Sequence, residues 1–121
     1  MRRDMDLARR ILKELADSDG PLQAGVFVDG ENGLGKVCFH FRIMDEAGLI
    51  VAHVRHADNR PMGGIAERLT WEGCDFLAAV ESDTVWSKVK SHVAKLVGDA
   101  SLETFKALAV KVGGDLLMSQ L

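Results

Sequence analysis

Between Lys36 and Ile50 the chain reads KVCFHFRIMDEAGLI, and its apolar residues recur at helical spacing. Val37, Phe41 and Met44 form one apolar group and Phe39 and Ile43 a second, while Cys38, Arg42, Asp45 and Glu46 share a narrow polar side. A helix apolar over so much of its circumference belongs at the centre of its domain. Gly48 stops it, and a β-type run over 49–55, LIVAHVR, starts at once. A polar turn, HADNRPMGG, carries Asp58, Asn59 and Pro61 and leads to a second strand over 65–70. A helix over 71–81 follows, with Thr70 as its N-cap and Glu72 in its first turn.

Upstream, Asp4 caps a first helix with Asp6 in its first turn, and Leu7, Ala8, Ile11, Leu12 and Leu15 give it one buried stripe. The run SDGP ends it, with Gly20 permitting a left-handed turn and Pro21 barring continuation. The segment 23–29, QAGVFVD, reads as a short strand with Val26 and Val28 on one face. A Gly-rich turn, GENGLG, then enters the central helix, its glycines supplying positive φ.

Downstream, Ser82 and Asp83 open a helix with Trp86, Val89, Val93 and Leu96 on one side, ended by Gly98. Ser101 opens the last helix, lined by Leu102, Phe105, Leu108, Ala109 and Val112, and Gly113-Gly114 interrupts it before the apolar tail DLLMSQL. These two stripes cover a core together or meet a second copy of the chain, and a short connection favours packing within the chain.

The order predicts an α+β fold: a winged helix-turn-helix-like domain over 1–83, with a β-hairpin wing and a reduced helix-turn-helix. Two C-terminal helices over 84–121 pack on it as one structural unit. A length of 121 residues suits a single core. The brace helix that should precede a reading helix is absent or reduced to a turn, because a strand-like run and glycines fill its place. A net charge of −3 confines any nucleic-acid face to a local patch, and the lack of Tyr argues against stacking platforms for single strands. The opening MRRDMDLARR has no apolar stretch of a signal peptide, and no run reaches the roughly 18 apolar residues of a membrane span. Two cysteines far apart point to a reducing, cytoplasmic setting.

HFRIMDEAGLI resembles the end of a recognition helix and the next strand in bacterial winged-helix regulators. RLTWEGCDFL is similar to their second wing strand and following helix, with its Leu-Thr-x-x-Gly signature. More narrowly, RRDMDLARRIL, EAGLI, LTWEG and TVWSKVK together resemble a small family of bacterial and prophage proteins with no assigned function. The resemblance spans nearly the whole chain and implies a DNA-binding, transcription-regulator-like module.

Candidate chemistry centres on the hairpin, where Arg55, His56 and Arg60 surround Asp58-Asn59 and could grip phosphates or enter a minor groove. Lys36 and Arg42 are the cations of the central helix, and Arg2 and Arg3 could extend the face as an arm. GENGLGK, from Gly30 to Lys36, matches part of a phosphate-binding loop, but Val37 stands where the magnesium-binding hydroxyl belongs. Cys38, His40, Cys74, His53 and His56 lack the close ligand spacing of a zinc site, and His53 and His56 point to opposite strand faces. His40 reads as a partly buried, hydrogen-bonded histidine, and Trp71 and Trp86 as core residues or exposed anchors. No nucleophile elbow occurs, so no enzyme, cofactor, metal or small-molecule ligand is expected. The leading expectation is double-stranded DNA binding through Lys36, Arg42, Arg55, His56 and Arg60. The alternative is a protein-interaction module without DNA affinity, dimeric through its last two helices.

Overall fold

A computed structural model describes residues 1–96 and 101–119, with side chains over 1–95 and 101–114. It is a mixed α+β chain with a three-stranded antiparallel sheet. Contacts divide it into two compact units, Met1–Asp75 and Phe76–Leu121.

In the first unit, helix α1 spans Met5–Asp17 and is capped by Asp4, whose carboxylate accepts from the N–H groups of Asp6 and Leu7 at 3.0 and 3.2 Å. Its expected stripe, Leu7, Ala8, Ile11, Leu12 and Leu15, is buried. The helix stops at Ser18, which turns to extended backbone and bonds Gly20 through its hydroxyl; Gly20 itself takes no left-handed conformation.

The strand expected over 23–29 is not formed. Strand β1 is only Leu22–Gln23, and Ala24–Phe27 makes a 3₁₀ turn. The alternation of Val26 and Val28 misleads, because the residue that the core takes is Phe27, set edge-on to Phe41 at 5.7 Å while both valines face solvent. Helix α2, Leu34–Glu46, buries Val37, Cys38, His40, Phe41 and Met44. Cys38 therefore lies inside rather than on the polar side, and burial pushes its thiol pKa up.

Strands β2, Ile50–Ala57, and β3, Arg60–Leu69, form a hairpin, and the sheet order is β1-β3-β2. The polar turn is shorter than its sequence suggests. Asp58 and Asn59 alone make it, with φ of 52° and 62°, the left-handed pair of a type I′ turn whose twist suits two flanking strands. Pro61 is already in β3, opposite His56. One extra residue of β3 is accommodated near Met62 and another near Glu67, where the register shifts. α2 packs on both hairpin strands, and α1 on α2 and β3.

The step from α2 into the sheet and from the sheet into helix α3, Trp71–Val80, is one joint. Gly48 takes φ +78°, which turns the chain from α2 into β2. The Thr70 hydroxyl donates to the Gly48 carbonyl and accepts from the Gly73 N–H at 3.0 Å, so one side chain caps α3 and ties it to that turn. The Thr70 N–H donates to the Leu49 carbonyl at 3.0 Å. Gly73 is buried against the same carbonyl, and a Cβ there would overlap its oxygen. The Leu-Thr-x-x-Gly pattern is thus a cap and a close approach three residues apart.

In the second unit, α4 spans Asp83–Leu96 and α5 spans Leu102–Ser119. Ser82 and Ser101 cap them through side-chain bonds to the N–H groups of Val85 and Thr104. The two helices pack on each other, with Trp86 and Phe105 at 5.5 Å between ring centroids and Val89, Val93, Ala109 and Val112 buried. α5 runs through Gly113-Gly114 without a break, and its apolar side supplies packing that offsets the roughly 1 kcal/mol that each mid-helix glycine costs. Gly98 as a stop, and the side chains of Leu96 and the tail over 115–121, lie outside the described residues.

Gly73→Ala is expected to lower stability by about 3 kcal/mol, since the helix start must move off the Leu49 carbonyl. Thr70→Ala should cost about 1–2 kcal/mol through the lost cap. Urea unfolding midpoints measure both, and a Gly73→Ala midpoint equal to that of the parent chain would refute the joint.

Candidate nucleic-acid interface

The five cations and histidines expected to meet DNA do not lie on one surface. Lys36, in the first turns of α2, donates to the Asp4 carboxylate at 2.8 Å. Asp4 thus serves α1 with one oxygen and α2 with the other. Next to this pair His40 is fully buried. Its Nδ1–H donates to the Lys36 carbonyl at 2.8 Å, and its Nε2 accepts from the Asp4 N–H at 2.8 Å. That accepting bond requires the neutral ring. Burial lowers the His40 pKa, and the charge of Lys36 adds to this against the opposing pull of Asp4. Burial raises the Asp4 pKa, but the Lys36 ion pair and the N–H groups of Leu7 and Asp6 outweigh it and hold the carboxyl below its ordinary value. The pairing of residues 32 positions apart carries no signal in spacing, although Asp4 as a cap was legible.

The rest of α2's polar side is engaged as well. Asp45 accepts from the Ala52 N–H at 3.1 Å, and Arg42 lies 3.5 Å from Glu46 with both side chains about two-thirds exposed. An exposed pair of this kind is weak and exchangeable, worth about 0.3–0.5 kcal/mol. In the GENGLGK loop the Asp29 carboxylate accepts from the N–H groups of Glu31 and Asn32 at 2.9 and 2.8 Å, which holds its pKa down. Gly30 and Gly33 need no positive φ there. The backbone donors that a phosphate would seek already face a carboxylate, and Lys36 is paired.

The hairpin is different. Arg60 stands exposed beside the Asp58-Asn59 turn, and Arg55 and His56 lie just behind it on opposite faces. His56 shares a shallow depression with Arg42, Cys38, Phe39, Val54 and Pro61, so these two expected contacts are brought together. Arg55 crosses the far face of the sheet, over Gly63. Among the described residues neither Arg55 nor Arg60 forms an ion pair. His53, on the Arg55 face, lies 3.5 Å from Glu67. Trp71, at the start of α3, is 80% exposed, whereas Trp86 is buried.

A family described as "Hypothetical protein (DUF2513)" matches residues 2–99. The chain belongs to this family. A relative within reach is a Haemophilus influenzae protein named "Uncharacterized protein", 33% identical over 119 residues, covering 97% of this chain and 99% of its own length. No solved structure matches. In this DUF2513 chain, among the described residues, no helix is long and apolar enough to cross a membrane, and no three His, Cys, Asp or Glu side chains gather as a metal site would need.

The Asp4–Lys36–His40 contact makes stability acid-sensitive in two windows. A histidine held neutral in the fold has its proton bound more tightly by the unfolded chain. Stability is therefore full above the ordinary histidine value of 6.5 and falls below it, with a limiting slope of about 1.4 kcal/mol per pH unit. Asp4, held low, adds a loss only as pH falls below 3.8 toward its folded value. Chemical unfolding from pH 7.5 to 5 should show the first loss, and His40→Gln should flatten it. An unchanged pH profile in that variant would assign the acid sensitivity elsewhere.

Proposed function

We propose that this protein is a winged-helix module that grips double-stranded DNA mainly through its hairpin, in a transcription-regulator-like role. The observation that carries the reading is the hairpin itself: Arg55, His56 and Arg60 project from it, and its arginines have no carboxylate partner among the described residues. The element order supports it too. A helix, a short first strand, a turn-sized brace, a central helix and a hairpin, with sheet order β1-β3-β2, suit a winged helix whose brace is the 3₁₀ turn at Ala24–Phe27.

Lys36 drops to a structural part on this reading, and Arg42 becomes a secondary contact released from Glu46. With α2's charges engaged internally, the reading favours phosphate gripping and groove insertion over base readout by α2. A cytoplasmic, bacterial or prophage setting is the natural one for it. The exposed Trp71 favours a second reading, a winged-helix protein-interaction module without DNA affinity, because a large exposed aromatic is the usual anchor of an interface.

Titration of random duplex DNA, followed by fluorescence anisotropy at low and near-physiological salt, separates the two. Binding that collapses with salt is expected. The double variant Arg55→Glu/Arg60→Glu should reduce the log–log salt slope by about 2. Absence of binding even at low salt would overturn the DNA reading and leave the interaction module.

A further inference from the structure

Strand β1 pairs with only two of the ten residues of β3. β1 meets β3 only where Leu22 lies opposite Ala66 and Gln23 opposite Ile65. Beyond Gln23 the chain leaves the sheet for the 3₁₀ turn, while β3 reaches back to Arg60. Over residues 62–64, which line the edge, the ladder partner of β3 among the described residues is β2 alone. Pro61 brings no N–H to the other edge, so its open backbone donors lie over residues 62–64, about 10 Å at the usual rise of a strand. An open backbone edge is a template for another strand unless something blunts it.

Here the edge opens into a shaped cleft. Its walls include Gln23, Gly25, Leu34, Met62 and Ile65, and it measures about 500 Å³. Met62 and Ile65 are 60% and 41% exposed, so apolar surface flanks the edge. The Arg55 guanidinium reaches the same cleft from β2, passing over Gly63 so closely that a Cβ there would sit 3.1 Å from its Nη2. None of the lining side chains is a carboxylate. The cleft therefore offers backbone hydrogen-bonding groups, apolar flanks and one uncompensated cation.

We propose that this edge binds an extended acidic segment of a partner protein, which adds as a strand along residues 62–64 of β3. In that arrangement a carboxylate of the segment meets Arg55, and alternate apolar side chains lie on Met62 and Ile65. The charge decides against a second copy of this chain. Self-pairing of the edge about a two-fold axis would carry Arg55 of both copies into one interface with no carboxylate from either cleft. A DNA phosphate could meet Arg55, but it would leave the strand edge unpaired. The segment and a duplex would compete for Arg55 alone, so this inference does not rest on the DNA reading.

The test is selection from a random eight-residue peptide library displayed on phage, against the full chain. Binding of the synthesised winners is then measured by anisotropy and by amide chemical-shift changes. Winners should carry Asp or Glu among alternating apolar residues and shift the amides of residues 62–65. Arg55→Glu should weaken them about tenfold or more, the scale of one hydrogen bond to a charged group. Changing the peptide carboxylate to its amide should produce the same loss with the protein untouched. Arg42→Glu, beside His56 and away from the cleft, should leave peptide affinity unchanged while weakening duplex binding, so either proposal can fail while the other stands. Winners without acidic residues, shifts confined to the surroundings of Trp71, indifference to Arg55→Glu, or concentration-dependent dimerisation through the edge would each overturn the proposal.

Discussion

The first unit depends on one carbonyl group. The Leu49 backbone leaves α2 through the left-handed Gly48, and its carbonyl oxygen receives the Thr70 N–H at the far end of the hairpin. Gly73 presses its bare Cα on the same oxygen, so α3 starts where the hairpin closes. Twenty residues of hairpin are thereby pinned at both ends to one point beneath α2. The consequence is that the hairpin's base is fixed while its tip is free to project. A tip built on Asp58-Asn59 in left-handed conformation needs no support from the core.

A second constraint decides which surfaces remain available for partners. Asp4 joins the start of α1 to Lys36, and the neutral His40 ring joins the Asp4 backbone to the Lys36 carbonyl. With Asp45 holding Ala52 as well, the helix that a winged-helix reading would place against DNA spends most of its polar groups on its own fold. Arg42, in an exposed pair with Glu46, is the exception, and it lies beside His56. Among the five expected contact residues, charge for an outside partner is therefore left mainly on the hairpin.

The helices were legible because their buried stripes, caps and stops are local: Asp4, Thr70, Ser82 and Ser101 each cap the helix that follows. The family was legible for a related reason, since LTWEG and EAGLI are the two halves of the Leu49 joint. What failed was decided by tertiary contact. Val26 and Val28 alternate as a strand does, yet Phe27 is the residue that Phe41 and Arg10 take, and the segment curls into a 3₁₀ turn. Cys38 looked polar because its neighbours on the wheel are charged, but the core reaches round to it. Lys36 looked available until its partner 32 residues away was seen. Whether Arg55 and Arg60 are unpaired is likewise invisible in sequence, because it depends on what the far strand and the turn leave beside them.

The shortness of β1 links the fold to both proposals. Had the run from Gln23 to Asp29 stayed extended, it would have covered the edge of β3 and left Arg55 beside a paired strand. Phe27 prevents this, because reaching Phe41 requires the chain to leave the sheet after two residues. Burying that ring is worth roughly 2–3 kcal/mol, as much as two or three ladder bonds at about 1 kcal/mol each would return, and those edge groups keep their water when the bonds are not made. The same packing that forms the 3₁₀ turn against α2 therefore opens the edge beside Arg55. A duplex gripped at the hairpin tip and a strand added along its side would be two uses of a surface created by one aromatic contact.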